Sequence, residues 1–183
     1  VANKDFISSV DTHYLFENSS NGAQPQSVDM NGAIWSKMNN TSTQGISAIE
    51  RDDVNGQWIA HADMDSSSYT RNKGEMVVDL KYDIPSLNWN GAVDMRGKSL
   101  SFLVKAPPGF VVNPTRPNWA QVFVKDENWK FQYGAQARIT NAGGWISVTL
   151  SPADGNPLGG YTQAGFDASR IRMIGLKLST EGG

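Results

Sequence analysis

Four segments of the chain alternate apolar and polar residues with a period of two, and a two-residue period is the signature of a strand with one face buried and the other wet. In Glu75–Tyr82 the residues Met76, Val78, Leu80 and Tyr82 fall on one face and Val77, Asp79 and Lys81 on the other. Ser99–Lys105 sets Leu100, Phe102 and Val104 against Ser101, Leu103 and Lys105. Trp119–Lys125 points Ala120, Val122 and Val124 inward and Gln121, Phe123 and Lys125 outward, and Trp145–Leu150 alternates Ile146, Val148 and Leu150 with Trp145, Ser147 and Thr149. Helical spacing is almost absent, and the runs are short and bounded by Gly, Pro, Asn and Asp. The expected class is all-β, an antiparallel β-sandwich.

Further strands are expected at Tyr14–Glu17, Gly32–Lys37, Gly45–Glu50, Gln57–Met64, Trp129–Tyr133 and Ile171–Ser179. Asp65–Gly74 (DSSSYTRNKG) reads as a polar surface loop, and Ser151–Gly165 as a long connection rich in Gly, Pro and Asn. Pro107, Pro108 and Gly109 end the strand before them, because proline donates nothing to a ladder. The residues before Tyr14 read as an irregular arm. No linker and no repeat divides residues 1–183, and 183 residues suit one core that folds without disulfides, in keeping with the absence of cysteine. The chain begins at Val1, as expected of a processed or excised product.

Sixteen Lys and Arg stand against 18 Asp and Glu, a net charge of -2, with no basic run to neutralise a row of phosphates; nucleic acid is not an expected partner. No apolar stretch approaches the roughly 18 residues that span a bilayer, so no membrane partner is expected. Only 19% of residues are charged, while six Trp and five Tyr are present. An indole is a flat apolar plate with a polar edge, suited either to a core or to stacking on a sugar ring.

Catalytic motifs are sparse. The carboxylate pairs Asp52 with Asp53, Asp63 with Asp65, and Asp126 with Glu127 fall at turns, where Asp characteristically caps the backbone. His13 and His61 are far apart, cysteine is absent, and no nucleophile elbow, phosphate loop or dinucleotide fingerprint occurs. Binding has better support. Asp79, Lys81, Ser101, Lys105, Gln121, Lys125, Ser147 and Thr149 lie opposite the core faces of their strands, near the aromatic set Trp119, Trp129, Tyr133 and Trp145. A solvated outer face with no partner is the alternative reading of the polar residues.

The stretch Val93–Gly134, VDMRGKSLSFLVKAPPGFVVNPTRPNWAQVFVKDENWKFQYG, resembles the noncatalytic, galactose-binding-like β-sandwich modules attached to bacterial polysaccharide-degrading enzymes such as mannanases and agarases. The likeness rests on the turn before an alternating strand ending in Ala-Pro, a strand ending in Val-Lys-Asp and a following tryptophan strand. GGWISVTLSP and FDASRIRMIGLKLST look like later strands of that family, and YLFE more loosely like its first. The resemblance implies a jelly roll that binds polysaccharide or oligosaccharide and directs a linked glycoside hydrolase to plant or algal material such as β-mannan or agarose. It implies a secreted or cell-surface bacterial setting. Carried over position by position, the ligand-binding residues would be Trp119, Gln121, Lys125, Trp129 and Tyr133, with Trp145 beside them. It also implies a structural calcium held in part by Glu17. The family adds a final strand with an Asp-Asn pair, and nothing follows Gly183, so that strand is expected to be lacking or supplied by a continuing polypeptide. The other readings are a structural or interaction domain of a larger glycosidase, and a small β-sandwich glycanase or lyase.

Overall fold

Two antiparallel sheets enclose a shared apolar interior in the computed structural model, which describes residues 5–9 (backbone), 34–38, 43–55, 57–82, 92–106, 118–140, 143–150 and 160–180. Among these residues there are twelve strands and no helix. They are β1 (Asp5–Ser9), β2 (Ser36–Lys37), β3 (Ile46–Asp52), β4 (Gln57–Ala62), β5 (Lys73–Asp79), β6 (Leu100–Lys105), β7 (Trp119–Asp126), β8 (Phe131–Tyr133), β9 (Ala137–Arg138), β10 (Trp145–Leu150), β11 (Tyr161–Thr162) and β12 (Ile171–Ser179). One sheet runs β10-β6-β1-β4-β3; the other runs β11-β8-β7-β12-β5-β2, with β9 paired to β7 beyond this path.

The alternating segments pack as their pattern requires. Ala60, Leu100, Phe102, Val104, Val148 and Leu150 from the five-stranded sheet meet Met76, Val78, Val122, Val124, Ile174 and Leu176 from the seven-stranded one. Trp35 sets its edge against Phe102 at 5.5 Å between ring centroids. At about 25 cal/mol per Å2 of apolar surface removed from water, such two-sided burial is the main favourable term of the fold. The architecture is a β-sandwich.

Five features depart from the expectations, the first being that Tyr161 and Thr162, inside the expected Ser151–Gly165 connection, pair with β8 as β11. The segment before Tyr14 is not wholly an arm: β1 lies inside the five-stranded sheet, antiparallel to both β4 and β6. Tyr82 does not join Met76, Val78 and Leu80 in the core; the strand ends at Asp79, the chain turns through Leu80–Tyr82, and Tyr82 is 65% exposed. The hairpin strand opposite β7 begins at Phe131 rather than Trp129, since residues 127–129 form a turn. In β12 the register shifts between Ile171 and Met173, so Arg172 is the extra residue of a β-bulge. Ile171 and Ile174 both remain in the core while Met173 faces outward.

Candidate functional site

The outward residues of the seven-stranded sheet form three transverse rows set by register. Tyr161, Tyr133, Phe123, Gly175, Val77 and Ser36 make the first. Phe131, Lys125, Met173 and Asp79 lie to one side of it, and Gln121, Lys177 and Glu75 to the other. Pleating sends the partners of each row to the same face.

Phe123 is fully buried and is the centre of a second apolar cluster with Val77 and Met173, against which Met38 and Tyr133 pack. Tyr133 leans on Phe123 at 5.4 Å, Phe131 meets Tyr133 edge-on at 5.1 Å, and Tyr161 lies 5.7 Å from Phe131. An aromatic strip therefore runs from buried Phe123 out to exposed Tyr161.

Beside the strip stands a partly dehydrated charge cluster. Glu75 is buried, accepts an ion pair from Lys177 Nζ at 3.4 Å and receives the Tyr133 hydroxyl at 3.4 Å. Lys177 Nζ also sits 4.7 Å from the centre of the Tyr133 ring. Burial, reinforced by the Glu75 carboxylate, pushes the Tyr133 phenol well above its ordinary pKa. Lys125 is half-buried, and burial holds its ammonium below the usual lysine range, with Glu75 opposing and Lys177 adding to the shift. Its Nζ points to the Met38 thioether sulfur at 3.7 Å.

Trp129 is presented by a turn built around one carboxylate. Asp126 Oδ1 accepts the backbone N–H groups of Asn128 at 2.8 Å and Lys130 at 2.9 Å, and Oδ2 accepts that of Asp167 at 2.9 Å. The Trp129 N–H donates to the Asp126 carbonyl at 3.0 Å. Trp129 itself has φ of 63°, a conformation rare for a bulky L-residue, and its side chain is 47% exposed. The Arg172 guanidinium lies 4.8 Å from the Trp129 ring and 5.4 Å from that of Tyr82, and pairs with Asp79 Oδ2 at 3.1 Å. This hydrogen bond raises the Arg172 pKa still further, so it stays charged. Lys81 stands 5.1 Å from the Tyr82 ring. Two exposed rings thus flank a guanidinium locked to a carboxylate, with cation–π attraction holding their orientation.

The six ligand residues expected from the sequence do not share one surface. Trp129, Tyr133 and Lys125 lie together on the outer face of the seven-stranded sheet. Trp119 is on that sheet but only 6% exposed, and Gln121 is buried with its Nε2 donating to the Gly134 carbonyl at 2.7 Å. Gln121 thus anchors the chain at Gly134, and neither side chain is open to a ligand. Trp145 belongs to β10 of the other sheet, where Lys105 Nζ stands 5.0 Å from its ring and the Ser101 and Thr149 hydroxyls meet at 2.8 Å. Glu17, the expected calcium ligand, lies outside the described residues, and among those residues no three His, Asp or Glu side chains converge on a metal position.

Arg172, Phe131 and Tyr161 are not among the residues expected at the site, and Tyr82 is expected in the core. One signal for Arg172 was present: Ile174, Leu176 and Leu178 are apolar at even positions while Ile171 is apolar at an odd one, a phase break that a bulge resolves. Of the expected turn acids, Asp52 accepts from Val54 and Asn55, Asp65 from Ser67 and Asp126 from Asn128, as caps do, whereas Asp53, Asp63 and Glu127 pair with Arg51, Arg71 and Arg170. His61 pairs with Glu50 at 2.9 Å across β3 and β4. Compared with known proteins, the chain matches no family model and has no significant match among curated sequences.

Proposed function

We propose that this protein is a noncatalytic polysaccharide-binding module of the galactose-binding-like, jelly-roll type, and that its ligand lies on the outer face of the seven-stranded sheet. The observation that carries the reading is the exposed Trp129 ring, held by a carboxylate-centred turn and backed by Arg172. A pyranose ring offers apolar C–H groups on one face and hydroxyls around its rim. Trp129 and Tyr82 supply the stacking plates, and Asp79, Arg172 and Lys125 supply acceptors and donors at their edges. On this reading the module acts by effective concentration, keeping a linked glycoside hydrolase close to a polymer such as β-mannan or agarose in a secreted or cell-surface setting. A structural calcium involving Glu17 remains part of the proposal.

Trp129→Ala is expected to abolish retention of the full chain in affinity electrophoresis through polysaccharide gels while leaving its circular dichroism unchanged. Retention equal to wild type on every gel that holds the wild type refutes the assignment. A second reading, a domain that packs against a larger glycosidase without binding sugar, draws support from the burial of Trp119, Gln121 and Phe123 on the same face. It requires that the wild type be retained by none of the polymers.

A further inference from the structure

Charge on the outer face of the seven-stranded sheet does not cancel. Four cations lie in or at the edge of its aromatic patch: Lys81, which stands 5.1 Å from the exposed Tyr82 ring, and Arg172, Lys177 and Lys125. Arg172 is neutralised by Asp79 at 3.1 Å, and Lys177 by Glu75 at 3.4 Å. Lys125 is different. Among the described residues its ammonium meets no oxygen within hydrogen-bonding distance, and its partner is the Met38 sulfur, a weak acceptor. A half-buried ammonium loses hydration and ordinarily recovers it through a carboxylate or several carbonyls. Lys125 also sits in the same transverse row as Phe131 and Asp79, hence between the aromatic strip and the Arg172–Asp79 pair.

We infer that Lys125 receives an oxyanion carried by the ligand, so that the preferred polymer is an acidic polysaccharide whose carboxylate or sulfate ester docks at Lys125 while neighbouring rings are stacked on the aromatic residues. The inference rests on the glycan-binding reading above and replaces its neutral example polymers, β-mannan and agarose, with an acidic class. An anion at Lys125 makes a charge-assisted hydrogen bond where the thioether makes almost none, and it balances the surplus positive charge beside Glu75 and Lys177. Burial keeps the Lys125 ammonium easier to deprotonate than an exposed lysine, which supports the same picture, since an incoming anion would restore the charged form.

The test is retention of the full chain at low salt on three gels: polygalacturonate for carboxylate, dextran sulfate for sulfate, and β-mannan for a neutral polymer. One of the acidic polymers is expected to hold the wild type about tenfold more tightly than mannan, with the advantage falling steeply as salt is raised. Whichever acidic gel retains it identifies the anion. Lys125→Met should bring the acidic-to-neutral ratio close to one and remove the salt dependence, whereas Lys125→Arg should preserve both. If Lys125→Met fails to fold, the wild-type ratio and its salt dependence, with Lys125→Arg, still decide the matter. Equal retention on all three polymers, or an unchanged ratio in Lys125→Met, overturns the inference and leaves the glycan platform standing. Retention on none of the three overturns the inference, and retention on neither these nor agarose overturns both the inference and the glycan-binding reading.

Discussion

Phe123 lies flat across Gly175, its cross-strand partner: a Cβ on Gly175 would stand 2.2 Å from the ring's Cζ. The ring has nowhere to go, because Phe123 is fully buried under Tyr133, Val77 and Met173. Gly175→Ala is therefore expected to destabilise the protein by roughly 1–3 kcal/mol through overpacking, measured by urea denaturation. Phe123→Leu in the same chain should recover part of that loss, giving a coupling that two independent sites would not show. Strictly additive effects would mean that the ring and the glycine do not constrain each other.

Asp126 has no exposed surface, and its two oxygens accept three backbone N–H groups, those of Asn128, Lys130 and Asp167. Replacing it by Ala leaves these donors without that acceptor, at a cost of about 1–3 kcal/mol for each one left unsatisfied, so Asp126→Ala should lower the thermal midpoint markedly. Because the same turn carries Trp129, accessibility of that indole to iodide quenching should rise, read as the difference from a Trp129→Phe control. A midpoint shift without any change in quenching would separate stability from presentation of the ring.

Arg172 packs between two aromatic rings as a planar group and holds Asp79 at the same time. Arg172→Lys keeps the charge and loses the plane, so it should weaken polysaccharide retention by about tenfold, as should Arg172→Ala, while Arg172→Ala alone should also lower stability, because it takes the guanidinium from the largely buried Asp79 carboxylate. Trp145→Ala provides the contrast. Its ring lies on the opposite sheet with Lys105, and removing it should leave retention within about twofold of wild type, about 0.4 kcal/mol. Loss of retention in Trp145→Ala would place the ligand on the five-stranded sheet instead.

The Asp65 carboxyl is lowered from 3.8 to about 2 because the Ser67 hydroxyl and N–H, and then Arg71, favour its charged form. On acidification the unfolded chain takes up this proton first. The contribution of Asp65 to stability is thus present above about pH 4 and lost as pH falls towards about 2. In Asp65→Asn the fall of the thermal midpoint between those two pH values should be shallower than in wild type. An identical slope would show that the loop around Asp65 does not couple to folding.

Much of the sandwich follows from alternation alone, because a buried strand face tolerates no polar residue without a partner and a one-residue slip would turn every side chain over. Leu100, Phe102 and Val104, Ala120, Val122 and Val124, and Val148 and Leu150 all lie inward, as their spacing requires. Turn acids were readable in part: Asp52 and Asp65 act within a few residues of themselves, as does Asp126 Oδ1, but the reach of Asp126 Oδ2 to the Asp167 N–H was not. Nor was burial of the second face. Phe123, Gln121 and Val77 occupy outward positions that a period of two marks as wet, yet Met38, Tyr133 and Met173, distant in sequence, close over the middle of that face. The site depended still more on long-range geometry: an inserted residue in β12 carries Arg172 to Trp129 and Tyr82, and sheet order sends Trp145 to the far side of the molecule. A linear chain records which residues can face water; which of them face it together is decided by register, a bulge and the order of strands, and those arise from pairings between segments many tens of residues apart.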